Sequence, residues 1–82
     1  MRATQADLRQ LMADVFGIDS DEIDDEASID TIEAWDSHKH LSLVLALEER
    51  FGVSLTEQET VEILNVELIR AVLREHGVDL GA

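Results

Sequence analysis

Cysteine, proline and tyrosine are absent from this chain, and its aromatics amount to one tryptophan and two phenylalanines. Without cysteine there is no disulfide framework, no thiolate nucleophile and no cysteine zinc site, and nothing reports on the redox state of the compartment. Without proline the usual mark of a linker is missing. Basic residues are scarce: six Lys and Arg stand against nineteen Asp and Glu, a formal net charge of −13. A surface of that sign repels polyphosphate and anionic lipid, so neither nucleic acid nor a membrane surface is an expected partner. Long apolar runs are missing as well. The longest, Leu41 to Leu47, is interrupted by Ser42 and is too short for a bilayer, and the opening MRATQADLRQ has no signal-peptide-like apolar stretch. A cytoplasmic monomer is the expectation.

What is present fits one small domain, residues 1–82. A chain of this length buries only about 60–65% of the surface it exposes when unfolded, so the core is small. Hydrophobic residues make up 45% of the chain and charged residues 30%, too apolar a balance for a disordered tail. From Thr4 onward Leu8, Leu11, Met12, Val15 and Phe16 recur at helical spacing, with Thr4 and Asp7 as a capping pair and Gly17 as the stop. Gly17 to Trp35 shows no sustained periodicity and carries Asp19, Asp21, Glu22, Asp24, Asp25, Glu26, Asp30 and Glu33 without one basic residue. That is a long acidic loop, which Ile18, Ile23, Ile29, Ile32 and Trp35 are placed to tack down.

Helical spacing returns at Asp36. Leu41, Leu43, Val44, Leu45, Leu47 and Phe51 span a wide arc, which predicts a helix packed against more than one neighbour and ended by Gly52. Thr56 and Glu59 form a capping box for a short helix through about Ile63. Asn65 caps a last helix bearing Val66, Ile69, Val72 and Leu73, stopped at Gly77. The expected fold is all-α: a small four-helix bundle of three main helices and one short one, with the acidic loop between the first and second helices.

Chemically capable residues concentrate in Trp35-Asp36-Ser37-His38-Lys39-His40. Asp36 and Ser37 are each suited to cap the helix that follows. A hydroxyl at that end would also place an attached phosphate against backbone N–H groups and the positive end of the helix dipole. The two roles are compatible. A hydrolase triad lacks its remaining members: His38 is splayed from Ser37, only His40 at i+3 is within reach, and no orienting group or oxyanion site presents itself. His38 and His40, two apart, do not share a helix face and cannot chelate a metal together, so they read as solvated helix surface. Asp19 and Asp21 begin a calcium-loop spacing that fails at Ile23, Asp24 and Asp30. Trp35 reads as an apolar anchor for the loop, and His76 beside Gly77 as a cation at a helix C-terminus. No catalytic residue and no metal ligand is expected.

The stretch EAWDSHKHLSLVLALEERFG, following a first amphipathic helix and a long acidic loop, resembles the acyl carrier protein family, more narrowly the carriers whose D-S motif follows a tryptophan. The likeness covers essentially the whole chain. It implies that Ser37 receives 4′-phosphopantetheine from coenzyme A, delivered by a phosphopantetheinyl transferase that needs Mg²⁺, with Asp36 and His38 flanking the attachment point. It implies a free-standing, non-catalytic carrier whose acyl or aminoacyl cargo is held as a thioester and presented to a loading enzyme and downstream biosynthetic enzymes. Partner recognition falls on Lys39, Ser42, Glu48 and Glu49. The sequence departs from the family pattern at His38, where Leu or Met is usual, and at Lys39, His40, Ser42 and Arg50, which make the second helix less acidic. Complementary charge sets partner choice and on-rate. The departures therefore point to a specialised pathway (polyketide, nonribosomal peptide or modified lipid) rather than housekeeping fatty-acid synthesis. The alternative is an unmodified acidic helical adaptor in which the serine is only a cap.

Overall fold

A computed structural model describes residues 4–80, which form α1 (Gln5–Phe16), α2 (Ser37–Phe51), α3 (Glu57–Glu62) and α4 (Val66–Glu75). The capping signals act where the spacing places them. Thr4 Oγ1 accepts from the Asp7 N–H, and the Asp7 carboxylate accepts from the Thr4 N–H, a reciprocal box that satisfies orphan donors at the start of α1. Thr56 and Glu59 repeat the box at α3, and the Asn65 side chain accepts from Leu68 N–H at α4. Helices α1 and α2 each end on a glycine in the left-handed region, Gly17 at φ 72° and Gly52 at φ 65°, a conformation that side chains with a Cβ rarely adopt.

The segment between α1 and α2 holds one short 3-10 turn, Ser20–Glu22, and then runs irregularly across the bundle. It is fastened in three ways. Ile23, Ala27, Ile32 and Trp35 are buried in the core, and Ile18 and Ile29 pack against it. An isolated antiparallel bridge pairs Ser28 with Asn65, with Ile29 N–H donating to Leu64 C=O at 2.9 Å and Val66 N–H to Ala27 C=O at 3.0 Å. Arg70 of α4 donates through Nη1 to Asp25 at 3.3 Å and to Gln5 of α1 at 2.9 Å, so one cation ties the acidic segment to two helices.

Leu8, Met12 and Phe16 of α1, Leu43, Leu47 and Phe51 of α2 and Ile69 and Leu73 of α4 fill the centre, joined by Ile63 and Val66. Each such side chain stabilises the fold by about 1.5–3 kcal/mol relative to exposure. Val78 and Leu80, past the end of α4, are buried too and extend the core beyond the last helical residue. The arc expected of α2 is narrower than its sequence implies. Leu41 and Leu45 are 62% and 66% exposed, because a bundle of this size covers one stripe of α2 and leaves the adjoining one in solvent. None of the helices is long and apolar enough to cross a membrane among the described residues.

Candidate functional site

Asp36 is the N-cap of α2: its Oδ1 accepts the Lys39 N–H at 2.8 Å, and its carbonyl accepts the His40 N–H at 2.8 Å. Of the two capping candidates, then, Asp36 is the cap and Ser37 is the first helical residue. Ser37 is exposed, and its hydroxyl makes no hydrogen bond among the described residues. It stands beside backbone N–H groups, its own and that of His38, for which the helix supplies no carbonyl partner. A phosphodiester at Ser37 fits this position, since an unengaged hydroxyl, orphan N–H groups and the positive end of a long helix meet there.

His40 is not solvated surface. On the helical wheel it falls in the middle of the arc defined by Leu43, Val44, Leu47 and Phe51, at the end of that arc nearest Ser37. The half-buried ring is held from two sides. The Trp35 indole N–H donates to His40 Nδ1 at 3.0 Å, and His40 Nε2 lies 2.7 Å from the Thr60 carbonyl. An indole N–H only donates, so Nδ1 is the acceptor and the ring proton sits on Nε2, donated to Thr60. Thr60 C=O is one of the last carbonyls of α3, without a helical N–H to receive, and His40 satisfies it across the gap between helices. Both ring nitrogens are thereby occupied, and neither serves Ser37 as a base.

Trp35 is 2% exposed and packs on Phe16 at 5.1 Å between ring centroids, while its ring stacks over His40 at 6.2 Å. It is the expected anchor with a polar handle added. His76 likewise exceeds its expected part. Its Nε2 reaches Glu59 Oε1 at 2.9 Å and Oε2 at 3.0 Å, linking the end of α4 to the first turn of α3. The Glu59 carboxyl is held below its ordinary value of 4.5, first by the Thr56 backbone N–H and then by His76.

The remaining predicted positions divide. His38 and Glu49 are exposed, Lys39 and Ser42 are half-buried, and Asp36 is exposed while serving as cap. Glu48 is partly committed within the chain, since its Oε2 accepts the Leu55 N–H at 2.9 Å and so fixes the turn between α2 and α3. Ser37, Leu41 and Leu45 succeed one another at four-residue steps and share one face of α2.

Residues 6–69 match the family model described as the phosphopantetheine attachment site. An acyl carrier protein of Rubrobacter xylanophilus is 34% identical over 70 residues, which span 84% of this chain and 85% of that relative. The chain belongs to the acyl carrier protein family. Members of the family are non-catalytic carriers modified by a phosphopantetheinyl transferase. The covalent 4′-phosphopantetheine supplies a terminal thiol on which cargo is held as a thioester. The carrier's lack of cysteine leaves that imported thiol without a competitor of its own.

Proposed function

We propose that Ser37 is the attachment point and that the chain, as a single cytoplasmic carrier domain, serves a specialised biosynthetic pathway with acyl or aminoacyl cargo. The supporting observation is the division of labour at the start of α2. Asp36 does the capping, which leaves the Ser37 hydroxyl exposed and free to react. In the modification, the Ser37 oxygen bonds to the phosphorus that carries the pantetheine of coenzyme A. The pyrophosphate P–O bond breaks, adenosine bisphosphate leaves, and the hydroxyl proton passes to the transferase. Because Asp36 caps through the Lys39 N–H, the N–H groups of Ser37 and His38 remain for the phosphodiester.

Partner choice follows from the charges around this point. The chain from Gly17 to Asp36 is all acid and no base, and α2 then opens with His38 and Lys39, so a docking enzyme meets a charge boundary at Ser37. Leu41 and Leu45, exposed on the Ser37 face, supply apolar contact beside it. Glu49, exposed at the next four-residue step after Leu45, adds a charged contact further along the same row.

Intact-mass measurement after incubation with coenzyme A, Mg²⁺ and a phosphopantetheinyl transferase tests the assignment. One arm's mass on the native chain and none on Ser37→Ala is the expected result. The exposure of Leu41, Leu45 and Val61 also suits an unmodified adaptor. The absence of any mass gain with cognate and promiscuous transferases would leave that reading standing.

A further inference from the structure

The buried stripe of α2 runs from Phe51 back through Leu47, Val44 and Leu43, and its last member before Ser37 is His40. A chain tethered at Ser37 that entered the core along α2 would pass this position first. His40 closes it with two hydrogen bonds, one to the buried Trp35 and one to the last turn of α3. Helix α3 has no buried residue within its six-residue span; its C-cap Ile63 is buried in the core, and the His40–Thr60 bond adds a polar tie to its last turn. Four surface hollows of about 300 to 570 Å³ lie elsewhere, and none of them is lined by His40, Thr60, Leu43 or Ile63.

We propose that the Trp35–His40–Thr60 bridge is a bolt that keeps cargo out of the core, making His40 a specificity-determining residue for short or polar acyl and aminoacyl groups. The inference rests on the carrier reading and deepens it. Entry of a long apolar chain would displace His40 from both Trp35 and Thr60 and leave a buried indole N–H and a helix-end carbonyl unpaired, which opposes the gain from burying methylenes. A short or polar group gains little from the interior and stays on the surface, where a partner enzyme finds it. The bolt costs such cargo nothing.

Carrier protein bearing either an acetyl or an octanoyl thioester on the Ser37 arm distinguishes the outcomes. In the native chain the two thioesters should react with hydroxylamine at rates within about twofold, since both stay in solvent. In His40→Leu the octanoyl thioester alone should slow about fivefold, corresponding to a chain sheltered most of the time. Trp35→Phe, which removes the indole N–H but keeps an aromatic ring, should slow it less. Equal rates in a folded His40→Leu overturn the proposal, as does an octanoyl thioester already slowed in the native chain. Should neither variant fold, nitrogen NMR of the native chain decides. The Trp35 indole and His40 ring signals should stay in place when octanoyl replaces acetyl, and their displacement overturns the bolt. A failure of Ser37 to gain mass defeats the carrier reading instead. The bridge is tested separately in the unmodified chain, where an Nδ1–H tautomer of His40 would overturn it.

Discussion

His76 Nε2 sits between the two carboxylate oxygens of Glu59, at 2.9 and 3.0 Å, and joins the residue that ends α4 to the first turn of α3. The Thr56 backbone N–H and His76 both favour the ionised carboxylate, so the folded chain holds the Glu59 value below 4.5. A group depressed on folding contributes stability that is present above its unfolded value and is lost as pH falls through the folded one. The thermal midpoint of the native chain should therefore exceed that of Glu59→Gln at neutral pH, and the gap should close on acidification below 4.5. Thermal unfolding of both across that range checks it. Every other carboxylate is common to the pair, so a constant gap would show that Glu59 is not the cause.

Loss of the α2 cap should be felt throughout the chain. Asp36→Ala removes the acceptor for Lys39 N–H and should lower stability by about 1 kcal/mol, while Asp36→Asn, which keeps an acceptor oxygen, should lose less. Urea unfolding measures both.

The exposed apolar stripe should matter for partners and not for folding. Leu41→Gln and Leu45→Gln replace side chains that are more than half exposed, so stability should change by no more than about 0.5 kcal/mol. Transfer of cargo from the cognate loading enzyme should fall about tenfold in kcat/KM, corresponding to about 1.4 kcal/mol of lost contact. Loss of stability without loss of transfer would reassign the stripe to the fold.

Lys39 and Ser42 set the charge along α2 near Ser37. Lys39→Asp combined with Ser42→Glu should raise kcat/KM with fatty-acid-synthesis enzymes by about three- to tenfold at low salt, the gain shrinking as salt screens it. No gain in that assay would sink the assignment to a specialised pathway.

The sequence by itself determined where the helices begin and end, because caps and stops are local chemistry. Thr4 with Asp7, Thr56 with Glu59, Asn65, Gly17 and Gly52 act within a few residues of where they stand. It also determined the core stripe of α4 and singled out Ser37, through a motif whose parts are contiguous. Only the tertiary structure decided what crosses between elements. His40 and Thr60 stand 20 residues apart and Glu59 and His76 stand 17 apart, and nothing in local spacing pairs them; Trp35, five residues before His40, joins the first pair from outside any helix. The register of His40 within the buried arc was the one available signal, and its imidazole looked solvated because the acceptor opposite it is a backbone carbonyl, which leaves no mark in a sequence. The exposure of Leu41 and Leu45 was decided in the same way. Periodicity tells which residues share a face, but only the arrangement of neighbours tells which part of that face is covered.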